Sequence, residues 1–387
     1  MIRHIFKTDL LYTSIGSPIP GGMLAIDDKQ NIVAVGTDIN VKGVEVEHFE
    51  GALCPAFINT HCHLELSHLK GKVQEKTGLD GFIKELQLVR TSTEAEVQRA
   101  IQSADSLMKR AGIVAVGDIS NGPSSFKVKK ESSIYYHTFL ELFGFDPLKA
   151  KLVFKKGLEL KKTAQGLGLS SSISPHSPYS VSQKLFSFIS SDKNNTPLSI
   201  HNQETESENE LYQKGSGKLA EMLEVFGNDL NLFKCSGQNS LPSYLNFLPK
   251  DTPLLLVHNT YTSAQDIQEA EEKNKQLFWC FCPKANLYIE GRLPDIPMFI
   301  AANALCTIGT DSLASNNTLS IWEEIKTIQT HFPTIELDAL IQWATINGAK
   351  FLGIDNKYGS FEVGKKAKVN WLKPTVNIDK FDLEVIL

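Results

Sequence analysis

The sequence is short of the features that would send a chain to a membrane, a nucleic acid or the cell exterior. No apolar stretch approaches the roughly 18 residues needed to span a bilayer. The 39 basic and 44 acidic residues give a net charge of −5 and are spread without long runs, so no basic stripe invites nucleic acid or an anionic membrane. Cysteine is scarce, six in 387 residues (54, 62, 235, 280, 282 and 306). Five of them sit in apolar or strand-like sequence, which excludes a disulfide framework and fits a reduced, cytoplasmic protein. The opening MIRHIFKTDLLYTSIGSPIPGG breaks its apolar residues with Lys7, Asp9 and Thr13 and lacks the continuous apolar core of a signal peptide. There is no repeat at a solenoid period. These absences leave a small molecule as the expected partner and say nothing against a homodimer.

What is present is an alternation. Short apolar or β-branched runs recur at Leu53–Asn59, Ile113–Ile119, Ile134–Leu142, Leu169–Ser174, Pro197–Ile200, Pro253–Val257, Gln276–Cys282 and Leu305–Ile308, with amphipathic text such as EAEVQRAIQSADSLMKRAG between them. Eight βα units predict an α/β fold, a TIM-type (β/α)8 barrel. The flanks differ: GGMLAIDDKQNIVAVGTD and YGSFEVGKKAKVNWLKP are turn-rich with alternating apolar positions. The expected organisation is a barrel over 53–354 and a small β-sandwich domain formed by both termini, 1–52 and 355–387. The 57 positions between His201 and His258 exceed one crossover, and Gly215, Ser216 and Gly217 are placed to hinge a lid there.

In such barrels the chemistry sits at the C-terminal ends of the strands. Five of the ten histidines, 61, 63, 176, 201 and 258, fall at those ends, with Asp118, Glu141 and Asp311. A lone histidine there reads first as a hydrogen-bonded core residue, but five with a carboxylate read as a site. His61 and His63 alternate on an extended segment and point to one side. With His201 and Asp311 they make a shell of three nitrogens and one oxygen for one divalent metal, zinc by preference, with iron or manganese as alternatives. Glu204, three residues after His201, is placed to move protons without ligating, and this offset outweighs the plainer reading of the acidic stretch ETESENE that it opens as a solvated helix start. His258 is placed to orient water or stabilise developing charge. Cys280, Cys282, Phe278, Trp279 and Phe281 read as packing.

The segments PAFINTHCHLELSH, SPHSPYSVS, HNQETESE, LLLVHNTYTSAQDI, CPKANLYIEG and GTDSLASNNTLSIWEE resemble, in order, the signature segments of the amidohydrolase superfamily, above all its mononuclear branch of amino-purine deaminases and chlorohydrolases. The resemblance covers essentially the whole chain. It implies His61, His63, His201 and Asp311 as metal ligands, Glu204 as proton shuttle, and His258 and Asp311 as further catalytic groups, with His176, Glu141 and Asn286 in the substrate pocket. The chain departs from the pattern at Ala56, Ala285 and Lys368, and SPHSPYS stands where a dinuclear site needs a bridging lysine.

The implied reaction is hydrolytic deamination of an aminated purine-type nucleoside, aminofutalosine-like or a thio-adenosine derivative, releasing ammonia. His176 and Ser177 stand where guanine deaminases carry an Arg-Phe pair. A chlorohydrolase or amide hydrolase on the same metal site, or a non-catalytic scaffold on the same barrel, are the rivals.

Overall fold

The computed structural model describes residues 2–375 and 381–387. Both ends of the chain build one seven-stranded sheet. Its N-terminal strands are Ile2–Leu11 (β1), Ile19–Pro20 (β2), Met23–Asp27 (β3), Ile32–Gly36 (β4) and Val46–Pro55 (β5). Eight parallel strands follow: Phe57–Cys62 (β6), Ile113–Ser120 (β7), Tyr135–Leu142 (β8), Ser170–Pro175 (β9), Leu198–Asn202 (β10), Leu254–His258 (β11), Leu277–Phe281 (β12) and Cys306–Ile308 (β13). Val369–Pro374 (β14) and Phe381–Val385 (β15) then return to the first sheet, where β14 pairs with β5, antiparallel, in the register Leu372 to Ala52. The two-residue period of β3 feeds two cores: Leu24 and Ile26 pack with Phe6, Leu53 and Phe361, whereas Met23 and Ala25 pack with Ile5.

The run from Leu53 to Asn59 is two strands rather than one. Its first residues belong to β5 of the terminal sheet, and Ala56 separates them from β6, the first barrel strand. Both stretches are buried, so hydrophobicity alone does not show the break.

Strands β6 to β9 and β10 to β13 form two parallel four-stranded halves. Nearly every residue of these strands is buried, as expected when core fills the inside and helices cover the outside. The helix Glu94–Arg110 shows how the cover is made: Thr93 and Glu96 form a capping box at its start, and Ile101, Ala104 and Met108 present one apolar stripe. Hydrogen bonds at the strand ends join the halves. His201 N–H donates to the His176 carbonyl at 3.0 Å at one seam, and Thr310 and Asp311 donate to the His61 carbonyl at 3.0 and 3.1 Å at the other.

The long interval after β10 carries the helices Glu206–Lys214 and Lys218–Val225, joined through Gly215 and Gly217 at φ 71° and 106°. Leu219, Met222 and Leu223 of the second helix pack with Leu69, Phe82 and Tyr179, which lie on helical segments following β6 and β9, over the C-terminal face of the barrel. No helix among the described residues is long and apolar enough to cross a membrane.

Candidate metal centre

The two seams bring four donor atoms to one point. His61 and His63, at the end of β6, set their Nε2 atoms 3.2 Å apart, and His201 from β10 sets its Nε2 3.3 Å from that of His63. Asp311, just past β13, holds Oδ1 3.5 Å from His61 Nε2 and 3.4 Å from His63 Nε2. A tetrahedral shell with metal–nitrogen distances of about 2.0–2.1 Å has edges of about 3.3–3.4 Å, so the spacing matches one divalent ion of that size. Tautomers agree with this arrangement. His201 Nδ1 lies 2.7 Å from the His176 carbonyl, which can only accept, so Nδ1 carries the proton and Nε2 turns a lone pair inward. Burial pushes the His63 imidazole down to about 3 and the His201 imidazole well below its usual range, which favours the neutral form that a metal ligand needs. Asp311 is steadied by Ser315, whose hydroxyl donates to Oδ2. Among the described residues the nitrogens His61 Nδ1 and His258 Nδ1 are buried with no hydrogen-bond partner.

Close packing holds this cluster, and backbone strain is concentrated beside it. A Cβ on Gly309 would meet His61 Cβ at 2.8 Å and the sulfurs of Cys280 and Cys282 at 2.9 and 3.0 Å, so the strand carrying Asp311 approaches only as glycine. Gln203, His258, Asn259 and Asp311 all adopt positive φ (44°, 76°, 60° and 57°), a conformation costly without glycine and concentrated here at the barrel mouth. Behind His63, Asp118 Oδ1 accepts the Leu64 N–H at 2.7 Å while Oδ2 pairs with Lys129 Nζ at 2.5 Å, both side chains fully buried.

Around the four donors stand the other residues singled out from the sequence. Glu204 Oε1 is 3.6 Å from His258 Nε2, and burial, with the charges of Asp311, Glu290 and Glu208, holds its carboxyl well above the usual range. The His258 ring stacks on that of His201 at 5.5 Å. His176 leans on His201 with ring centroids 4.8 Å apart, its Nδ1 within reach of the Ser177 and Ser180 hydroxyls. Glu141 accepts from Asn121 at 2.9 Å, leaves Oε1 unpartnered 3.6 Å from His201 Nδ1, and is pushed up to about 8 by burial. Asn286 adjoins His258 and donates to Thr260. Cys280 and Cys282 are fully buried, 4.0 Å apart, and burial holds the Cys282 thiol well above its usual value, which keeps it protonated.

Sequence reasoning missed several neighbours. Glu65 is buried beside Asn121, whose backbone N–H reaches both its oxygens at 3.1 and 3.2 Å, and burial pushes its carboxyl up to about 7. It lies two residues after His63 but inside the 3-10 turn Leu64–Leu69, where the two-residue step of an extended strand no longer applies. Lys129, Ser315 and Tyr179 had no sequence signal either.

The comparisons agree with this geometry. The sequence pattern of the amidohydrolase family matches residues 52–387. An adenosine deaminase of Helicobacter pylori is 29% identical over 334 residues, covering 84% of this chain and 80% of its own. An aminodeoxyfutalosine deaminase of Deinococcus radiodurans is 26% identical over 376 residues, covering 90% and 86%. The crystal structure of Helicobacter pylori aminofutalosine deaminase with methylthio-coformycin superposes with a TM-score of 0.80 at 24% identity, over 98% of this chain and 94% of that one. A barrel with a terminal sheet, four donors meeting at its seams and a family match over most of the sequence agree: the chain belongs to the amidohydrolase family.

Proposed function

We propose that the chain is a metal-dependent hydrolytic deaminase that exchanges the exocyclic amino group of an adenosine-type nucleoside for oxygen and releases ammonia. The observation that carries this reading is the convergence of His61, His63, His201 and Asp311 on one point with the Glu204 carboxyl beside it. The sequence relatives named above are deaminases of amino-purine nucleosides, which supports the same substrate class. Three imidazole nitrogens and one carboxylate oxygen suit zinc, with iron or manganese as alternatives.

A bound divalent ion at such a shell lowers the pKa of water from 15.7 towards about 7 and so supplies hydroxide at neutral pH. The remaining work falls to side chains. Glu204, its carboxyl held well above the usual range by burial, carries the first proton of the attacking water to the ring nitrogen next to the amino-bearing carbon. As a carboxylate it then takes the second proton of the attacking water and passes it to the departing amine. One water and one amine thus become a carbonyl, a ring N–H and ammonia. His258, neutral because burial pushes it down to about 4, and Asp311 orient the attacking oxygen. His176, Glu141 and Asn286 border the substrate, and an aminofutalosine-like or thio-adenosine compound is the favoured form.

The test is elemental analysis of the purified protein alongside ammonia release from adenosine derivatives, for the native chain and Glu204→Gln. The expected result is one metal per chain in both and a 10²–10⁴-fold lower kcat for the variant. Metal without ammonia from any nucleoside overturns the deaminase reading, and a fully active Glu204→Gln overturns the shuttle.

A further inference from the structure

The turn that carries Glu204 rests on a second buried carboxyl group, one that the proposed reaction does not use. Between the end of β10 and the helix Glu206–Lys214 stand Gln203, Glu204 and Thr205, and Gln203 takes φ 44°. A left-handed conformation at a glutamine persists only where its surroundings hold it. Thr205, at the N-cap of the helix, makes no side-chain cap. Glu208, fully buried, turns back instead: its Oε1 accepts the Gln203 N–H at 3.0 Å and the Ser240 hydroxyl. A glutamate at the third helical position ordinarily reaches the N–H of the N-cap residue, and here it reaches past it to Gln203. Burial pushes the Glu208 carboxyl up to about 7, against the pull of the Ser240 hydroxyl and of the Gln203 and Glu204 N–H groups. The Glu204 N–H acts more weakly, since Oε2 closes no hydrogen bond among the described residues. Other groups pin the rest of Gln203. Its side-chain amide donates to Asn209 Oδ1 at 3.0 Å and to Asp266 Oδ2 at 3.1 Å, and its carbonyl accepts the Tyr261 N–H at 2.9 Å. The acidic stretch therefore divides: Glu206 is exposed, as a helix start allows, whereas Glu208 faces inward on the turn.

We propose that Glu208 is a positioning residue: by holding the Gln203 N–H it fixes the turn that sets the Glu204 carboxyl in its place, 3.6 Å from His258 Nε2. The inference rests on the reading of Glu204 as the proton shuttle. Reach is the property that matters, because the bond to Gln203 needs an acceptor oxygen at the end of a stem of glutamate length. Glutamine keeps that oxygen and loses the charge. Aspartate, one methylene shorter, keeps the charge and loses the reach. The plainer role for Glu208 is a helix cap, which lowers stability and leaves the chemistry of the folded protein unchanged. A displaced proton-transfer group instead lowers the rate, by about 10²-fold for a shift of about 1 Å.

The test compares the zinc-loaded native chain with Glu208→Ala, Glu208→Asp and Glu208→Gln. Ammonia release from adenosine and 5′-methylthioadenosine is followed well below each denaturation midpoint, and bound metal is measured in the same samples. Glu208→Ala and Glu208→Asp are expected to lose about 10–100-fold in kcat, with KM within about threefold of native and metal content unchanged. Glu208→Gln should stay within about threefold of the native kcat. If Glu208→Ala does not fold, the contrast between aspartate and glutamine decides. A lowered midpoint with native kcat in the alanine and aspartate variants leaves only a helix cap and overturns the proposal. So does a glutamine variant as slow as the alanine one, which makes the charge rather than the reach the cause, or a loss of metal that accounts for the loss of rate. Crystal structures of the zinc-loaded native and Glu208→Asp proteins give a readout that needs no turnover. The Glu204 carboxyl should move by about 1 Å or more while the rings of His61, His63 and His201 keep their places, and an unmoved Glu204 overturns the positioning role. A native chain that releases no ammonia from either nucleoside, with Glu204 displaced in the aspartate variant, removes the deaminase reading and keeps the positioning of Glu204 by Glu208.

Discussion

Replacing Lys129 by Met isolates a buried charge that supports the metal centre from behind. The Lys129 ammonium gives its protons to Asp118 Oδ2 at 2.5 Å, Ser120 Oγ at 2.9 Å and Thr138 Oγ1 at 3.2 Å, and neither Lys129 nor Asp118 exposes its side chain. Methionine keeps the length of the stem and removes the charge. Asp118 is then left as a buried carboxylate without a cation, a loss of about 3–5 kcal/mol for pairs of this kind. Burial already pushes the Asp118 carboxyl upward against the pull of Lys129 and of the Leu64 N–H, so part of that cost is discharged by protonation. A protonated Asp118 holds Leu64 less firmly, and Leu64 directly follows His63. Metal affinity should therefore fall by about 10–100-fold, as for other outer partners of ligating residues. The control is the double variant Asp118→Asn/Lys129→Met. It carries no buried charge, keeps an oxygen for the Leu64 N–H, and should recover about 2 kcal/mol relative to Lys129→Met. Denaturant unfolding of the three proteins and chelator competition for zinc give the two readouts. Stability of Lys129→Met within about 0.5 kcal/mol of the parent, or a double variant no more stable than the single one, would refute the reasoning.

Other expectations follow from the same geometry. Removing the metal with a chelator should destabilise the fold by about 4 kcal/mol relative to protein held at a thousandfold excess over Kd, read as a lower denaturation midpoint, and an unchanged midpoint contradicts the centre. His137, buried between the Ser170 and Ser172 hydroxyls at 2.9 Å each, is pushed down from 6.5 to about 3 by burial. The unfolded chain therefore takes up a proton below pH 6.5 that the native one refuses. Stability from this residue is complete above pH 6.5 and drains towards pH 3 at up to about 1.4 kcal/mol per pH unit, and His137→Gln should flatten that part of the curve. Gly309→Ala should cost about 1–3 kcal/mol and displace His61, read as a loss of bound metal by elemental analysis, and full metal content in a folded variant speaks against the packing argument.

The barrel was legible because strands such as β7, β11 and β12, buried on both faces, read as apolar runs at the spacing of βα units, and because His61 and His63 keep the two-residue step that turns both rings to one side. Asp311 was marked by its place beyond the last run. The break at Ala56 was hidden, since β5 and β6 are buried alike and nothing in PAFINT separates two sheets. Glu65 was hidden for a different reason: after His63 the chain enters the 3-10 turn Leu64–Leu69, and the extended step no longer says where a side chain points. Lys129 sits eleven positions from Asp118 on a short helix whose other charges face solvent, so only the folded chain reveals the pair.

Closing the barrel and assembling the site are one event in this chain. At one seam the His176 carbonyl accepts both the His201 backbone N–H and the His201 ring Nδ1–H, so the bond that joins β9 to β10 also sets the tautomer and direction of a donor. At the other, the His61 carbonyl accepts two N–H groups from Thr310 and Asp311, which fixes the carboxylate against the His61 and His63 rings. Each seam alone yields part of a shell, and only a closed barrel brings the parts within 3.5 Å. The positive φ angles at Gln203, His258, Asn259 and Asp311 oppose that closure by about 1–3 kcal/mol each. A metal ion held by the four proposed donors would work in the other direction, because those donors come from the end of β6, from β10 and from the segment after β13. The strain is thus carried where the ion can offset it, and the same residues that make the barrel mouth costly to close give it a reason to stay closed.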